Sequence, residues 1–228
     1  MSDQVHQMFS RIAGRYDRAN RWMSFGSDQW VRKKAVKLSQ ARSGESVLDC
    51  AAGTGDLTLL FQRAVGDGAR VVGTDFNADM LALAAPKSER LGVAIDWQVQ
   101  DAQNLAFDDE SFDIVSIAYG IRNVDDPVRA LSEMRRVLKP GGRLVVLEFG
   151  QPSAWARPGY LFFNRFIIPL IGSLAGGDRD AYRYLQRTSD AFPHGPAFVK
   201  MLEQAGEWQS IESNPMIFGV NYIYVATR

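Results

Sequence analysis

The sequence predicts an α/β protein: a doubly wound, mostly parallel sheet of seven strands, with helices before it and an insertion after the fifth strand. Three observations carry this. Short apolar runs alternate with stretches of helical period between residues 46 and 150, the rhythm of βαβ units. The first apolar run passes straight into a small-residue turn, Gly53-Thr54-Gly55. After residue 195, one more amphipathic stretch and two β-type runs close the chain.

Residues 1–42 read as helical, because Val5, Met8, Phe9, Ile12 and Tyr16 recur on one helical face. "SVLDCAA" (46–52) is nearly continuous in apolar character, as a strand covered on both faces should be. "DLTLLFQRAV" follows as a helix, "RVVGTDF" as the second strand and "NADMLALAAPKSERL" as a second helix, which Pro86 is expected to kink or shorten. "IDWQVQDA" and "FDIVSIAYG" supply strands three and four. In "DDPVRALSEMRRVLKPGG", Asp126 caps, Pro127 takes the first helical position, and Lys139-Pro140-Gly141-Gly142 ends the helix. "RLVVLEFG" is strand five, "PAFVKMLEQAG" a last helix, and strands near 208–217 and 220–227 complete the sheet. The aromatic, Gly- and Pro-rich stretch 151–194 shows no strand partner. Inserted after strand five, it would sit above the carboxyl edge of the sheet, where ligands bind in this architecture.

A chain of 228 residues, 46% hydrophobic, can bury the core of one domain. Its 26 basic and 26 acidic residues balance, so no polyanion partner and no nucleic acid is expected. Arg32-Lys33-Lys34 reads as a solvated helix face. Cys50 is the single cysteine and lies in an apolar run, which excludes an internal disulfide and fits a packed thiol in a reducing cytoplasm. The amino terminus lacks the features of a secretory signal. "FIIPLIGSLAGG" (166–177) is twelve residues long, short of the roughly 20 that span a bilayer. A cytoplasmic protein, peripheral to the membrane at most, is expected.

The turn after strand one is not the dinucleotide pattern GxGxxG, because Thr58 stands where its third glycine would be. Gly53 and Gly55 let a backbone approach a ligand closely, although an ordinary tight turn uses the same residues. Asp75, twenty residues past Gly55, ends strand two, where a carboxylate can accept from both ribose hydroxyls. Its structural alternative is a helix cap, a task that Asn77 can take instead. Asp101 ends strand three within reach of an adenine, or is a loop aspartate. No Gly-Lys-Ser/Thr follows the turn, so a triphosphate cradle is missing. An adenosine ligand without pyrophosphate fits better, and S-adenosyl-L-methionine is the candidate. Asp49 and the Gly53–Gly55 backbone would meet its amino-acid part, Asp75 its ribose, Asp101 and Ala102 its adenine. No metal is expected.

At this point the chain resembles a known family. "MFSRIAGRYDRAN" (8–20), "LDCAAGTGD", "DAQNLAFDDESFDIVSIAYGIRNV", "ALSEMRRVLKPGGRLVVLEF" and "IIPLIGSLAGGDRDAYRYLQRTSDAFP" are similar to signatures of the ubiquinone/menaquinone biosynthesis C-methyltransferases, within the Rossmann-like class I S-adenosylmethionine-dependent methyltransferases. The cofactor turn and "LKPGG" are shared by many methyltransferases, whereas "IAGRYDRAN", "GIRNV" and "YRYLQRTSDAFP" together are specific. The resemblance implies C-methylation of a prenylated quinol, a demethylmenaquinol or a 2-methoxy-6-polyprenyl-benzoquinol. It also implies cofactor contacts by Thr54, Asp75, Asp101 and Ala102, with Phe76 beside Asp75. Ala118 borders the same site but replaces a serine that some members carry, so that hydroxyl contact is lost.

Such a transfer needs a cation for the developing phenolate and a base. Arg122 in "YGIRN" (119–123) is placed for the first role, with Asn123 orienting the second oxygen. The structural alternative pairs Arg122 with Asp125 or Asp126. Tyr16 and Asp17 are the candidate base, oriented by Asn20, against core packing for the tyrosine and a capping or surface place for the aspartate. His6 and His194, the two histidines, could each shuttle a proton but are expected at the surface. The greasy element 160–172 either receives an isoprenoid tail and touches lipid, or is the packing face of a cap. The whole chain then reads as one methyltransferase domain: a helical lid (1–42), a cofactor-binding core (43–150), a substrate cap (151–194) and a closing helix and strands (195–228). Self-association into a homo-oligomer is compatible with this. The alternatives are a same-fold O- or N-methyltransferase of a soluble small molecule, and a non-catalytic cofactor-binding module.

Overall fold

A computed structural model of the chain describes Ser10, Arg21, Ser24, residues 26–162, Tyr184 and residues 187–228. His6, Tyr16, Asp17, Asn20 and most of the greasy element 160–172 lie outside the described residues.

Helix α1 (Ser27–Leu38) precedes β1 (Val47–Cys50), α2 (Asp56–Val65), β2 (Val71–Asp75), α3 (Ala78–Leu91), β3 (Asp96–Val99) and β4 (Phe112–Ala118). A 3-10 turn (Ile121–Asn123), α4 (Pro127–Val137), β5 (Leu138–Phe149) and the short α5 (Arg157–Phe162) follow. Helix α6 (Pro196–Gln204), β6 (Ser210–Met216) and β7 (Asn221–Thr227) end the chain. The seven strands are ordered β3-β2-β1-β4-β5-β7-β6. All pairs are parallel except those of β7, which runs antiparallel to β5 and β6. The order reverses between β1 and β4, so the crevice of this sheet opens at their carboxyl ends.

The sheet is apolar on both faces. Val47, Val71, Ile114, Val145 and Leu147 pack with Val31 and Ala35 of α1 and with Leu57, Phe61 and Val65 of α2. Leu48, Cys50, Val72, Val115, Ile117 and Val146 pack on the other face with Leu131 and Met134 of α4 and with Phe198 and Leu202 of α6. Cys50 is a packed thiol as expected, and burial pushes its pKa up.

Two sequence expectations are corrected here. Pro86 does not shorten α3, which runs on to Leu91. Met80, Leu81, Ala84 and Ser88 are buried along it, and the Trp97 indole N–H reaches the Ser88 hydroxyl at 3.1 Å. That packing outweighs the one backbone bond that proline cannot donate. Arg32 is not solvated: it is 8% exposed, ion-paired to Asp28 at 2.9 Å and set over the Tyr119 ring at 5.5 Å. Of that basic triplet Lys33 is exposed and Lys34 half-buried. Residues 139–142 do end α4, looping out of β5 as a bulge between the pairs Phe112–Leu138 and Ile114–Arg143.

Gly55 opens α2 with φ +81°, and a Cβ there would lie 2.6 Å from the Trp97 ring. Gly55→Ala therefore meets both left-handed strain and overpacking, and is expected to cost about 2–4 kcal/mol. Urea denaturation checks it, and an unchanged midpoint contradicts it.

Candidate active site

The carboxylates read from the sequence stand at the carboxyl edge of β1, β2 and β3. Asp75, the last residue of β2, accepts the Gly53 N–H on Oδ2 and the Asn77 N–H on Oδ1, each at 2.8 Å. These bonds tie the strand end to the glycine turn and fix the carboxylate plane. Asn77 is the cap of α3, as expected, accepting the N–H groups of Asp79 and Met80 and donating to the Ser10 hydroxyl at 3.0 Å. Asp75 is thus released from the capping role that would have explained it away. Phe76 follows it as an exposed aromatic ring. Asp101 sits two residues past β3, its Oδ1 accepting the Gln103 N–H at 2.9 Å in a turn beside Ala102.

Asp49 turns inward. It is 1% exposed, and its two oxygens accept the hydroxyls of Thr58 in α2 and Ser116 in β4, both at 2.6 Å. Burial lifts its pKa from 3.8 to about 6, against those two bonds and the nearby Arg32. The folded state therefore holds this proton where the unfolded chain has lost it. Stability falls as pH rises from about 4 to about 6, and the penalty is complete above that. Relative to Asp49→Asn, the native chain is expected to lose about 3 kcal/mol across that window. Urea midpoints taken at several pH values test it; a difference that does not vary with pH contradicts it. Ser116 and Thr58 were not singled out in the sequence: one reads as a small residue in an apolar strand, the other as a missing glycine.

The second cluster lies across the crevice, at the ends of β4 and β5 and the start of β7. Arg122 is held, though neither by Asp125 nor by Asp126 as the structural alternative had it. Its Nη1 lies 2.6 Å from Oε1 of Glu148, with the two side chains 5% and 2% exposed. Asp126 instead caps α4 through the Arg129 N–H. The Arg122 guanidinium also lies 5.0 Å from the Phe149 ring centre. Asn123 accepts the Tyr184 hydroxyl at 3.0 Å. Tyr119 donates to Asn221 at 2.9 Å and packs against Phe149. Burial raises the pKa values of Glu148 and Tyr119, so neither ionises in its ordinary range. Ala118 ends β4 between the two clusters. His194 is half-buried beside Tyr222 rather than at the surface. Ala51 and Tyr119, just past β1 and β4, both adopt positive φ, +49° and +56°. Such strain in non-glycine residues collects at functional sites.

A strand-order switch point, with a glycine turn tied to a carboxylate beside it, defines a Rossmann-like protein with a ligand crevice at the carboxyl edge of its sheet. The profile of the ubiE/COQ5 methyltransferase family matches residues 1–228. The chain is 44% identical to the ubiquinone/menaquinone biosynthesis C-methyltransferase UbiE of Bdellovibrio bacteriovorus, covering 98% of this chain and 95% of that one. It is also 44% identical to the demethylmenaquinone methyltransferase of Thermus thermophilus, covering 97% and 100%. Among solved structures, the [4+2]-cyclase SpnF superposes with a TM-score of 0.72 at 18% identity, covering 100% of this chain and 96% of that one. That likeness shows the fold alone, and the chemistry in its name warns that fold does not fix reaction. The chain belongs to the ubiE/COQ5 methyltransferase family and is a methyltransferase.

Proposed function

We propose that the chain transfers a methyl group from S-adenosyl-L-methionine to a ring carbon of a prenylated quinol, a demethylmenaquinol or a 2-methoxy-6-polyprenyl-benzoquinol. The observation that carries this is the pairing, across one crevice, of a carboxylate-tied glycine turn with a buried arginine, in a chain of this family.

The residues present fit the cofactor. Among the described residues, a Cβ at Gly53 would meet only Met80 Cε, at 3.4 Å, so the turn offers bare backbone. The Asp75 carboxylate is oriented by two backbone N–H groups and suits a ribose diol. Phe76 and Ala102 give apolar surface for adenine, with Asp101 beside its amino group, while Thr54 and Gly55 shape the turn. Asp49, beneath the turn, acts through its charge and its links to Thr58 and Ser116. When bound, the cofactor supplies an electrophilic methyl on a sulfonium. The chain's own part is to orient, exclude water and stabilise charge. Arg122 faces the quinol oxygen that becomes a phenolate, making the ortho carbon nucleophilic, and Asn123 orients the second oxygen. Tyr16 and Asp17 stay the proposed base.

We also propose that residues 1–42 close over the cofactor and 151–194 over the quinol. Two described residues from those segments support it: Ser10 bonds the cap residue Asn77, and Tyr184 bonds Asn123. A prenylated substrate resides in lipid, which favours weak peripheral contact with the membrane surface. Among the described residues, no helix is long and apolar enough to cross a membrane.

Incubating purified protein with a labelled methyl donor and demethylmenaquinol, a demethylated benzoquinol or a panel of soluble acceptors tests the reading. Label on the ring carbon of a quinol is expected. Label only on oxygen or nitrogen of a soluble acceptor overturns it.

A further inference from the structure

Glu148 was given no role in the sequence reading, yet it is the carboxylate in contact with Arg122. It lies one residue from the end of β5, 1% exposed, in register with Tyr222 of β7. Its contacts are lopsided. Oε1 accepts both Arg122 Nη1 at 2.6 Å and the Phe149 N–H at 2.8 Å. Among the described residues, neither Oε2 of Glu148 nor the buried Nε of Arg122 has a partner within hydrogen-bond geometry, although the Arg122 backbone N–H also favours the Glu148 carboxylate. Arginine–carboxylate pairs frequently close as a two-bond fork. Here one arm stays open on each partner, and each unmet buried group is destabilising. The arrangement holds the guanidinium by one nitrogen against Phe149 and leaves the rest of its donors to another oxygen.

We infer that Glu148 is the positioning residue of the acceptor side: it holds Arg122 in the orientation that meets a substrate oxygen and sets how much positive charge that oxygen feels. This rests on the methyl-transfer reading above. The carboxylate form of Glu148, which burial disfavours and Arg122 favours, partly offsets the guanidinium. Remove that charge, and an oxygen beside Arg122 ionises more readily while the arginine loses its fixed direction. A purely structural Glu148 would alter stability without altering substrate ionisation.

The test uses the full chain, a labelled donor and demethylmenaquinol. Native protein is compared with Glu148→Gln, Glu148→Asp, Arg122→Gln and the Arg122→Gln/Glu148→Gln double variant, each followed by melting. Glu148→Gln is expected to lower kcat about 30-fold with KM for the donor within about twofold, the pattern of a group acting on the transition state. It should also move the acid limb of the pH–rate profile down by about one unit, because an uncompensated cation favours the anion. Glu148→Asp should restore the native limb and part of kcat. In the Arg122→Gln background, adding Glu148→Gln should change kcat by less than about twofold, since a group acting only through Arg122 has nothing left to act on. Equal losses in both backgrounds with an unmoved limb overturn the inference. If Glu148→Gln does not fold, Glu148→Asp against native and the double variant against Arg122→Gln decide it by the same criteria. If native protein methylates a soluble acceptor and no quinol, the quinol reading fails and the cycle with that acceptor still decides the role of Glu148. Folded native protein that methylates nothing overturns both.

Discussion

Arg122→Ala is expected to lower turnover by about 10²–10³-fold, the range seen when one preorganised donor to a developing oxyanion is removed. Binding of the methyl donor should change little, because Arg122 lies across the crevice from Asp75 and the glycine turn. The same substitution strands Glu148 in the interior. Breaking a buried pair by deleting one partner costs about 3–5 kcal/mol. Burial already holds the Glu148 carboxyl above its ordinary pKa with the arginine present. Without that cation it is held higher still, so the variant's stability falls as pH rises, more steeply than that of the native chain. Single-turnover kinetics and urea denaturation at two pH values measure the two halves. A variant that folds and turns over within about tenfold of native removes Arg122 from the chemistry.

Asp75→Ala is expected to weaken binding of S-adenosyl-L-methionine by about 10²–10⁴-fold. A hydrogen bond to a charged group is worth about 1.5–3 kcal/mol, and a ribose diol offers two. The loss also frees the Gly53 and Asn77 N–H groups that shape the turn. Asp75→Asn should be nearly as damaging. Its amide presents an NH₂ toward one of two backbone donors, setting donor against donor. Titration calorimetry with the donor and with its demethylated product reads both variants. Native affinity in Asp75→Ala would place the ribose elsewhere.

Much of this was legible in the residues. The apolar runs around Asp49 and up to Asp75 located two strands that the sheet pairs in parallel, with Asp49 beside Gly73 and Ser116. Asn77 and Asp126 were readable as caps because cap chemistry is local. What escaped was long-range. Glu148 is the one acidic residue in "RLVVLEFG", and its partner lies 26 residues earlier. Ser116 and Thr58 meet Asp49 only because β4 and α2 converge on β1, and a hydroxyl in an apolar run gives no sign of what it will bond. Pro86 leaves α3 its full length, because Trp97 and Ser88 tie the helix down beyond it. Arg32 reads as solvated in a basic triplet, and only the neighbouring turn brings Tyr119 beneath it.

The antiparallel course of β7 has a consequence for the order in which the machinery is assembled. Every residue proposed to cradle the donor precedes residue 119, and the strands there are all parallel. The Tyr119–Asn221 bond instead spans 102 residues and waits on the last strand to arrive. Pairings so distant along the chain form late, after loop closure has been overcome. Removing β7 would thus spare every residue proposed to hold the donor and take away the Asn221 partner of Tyr119.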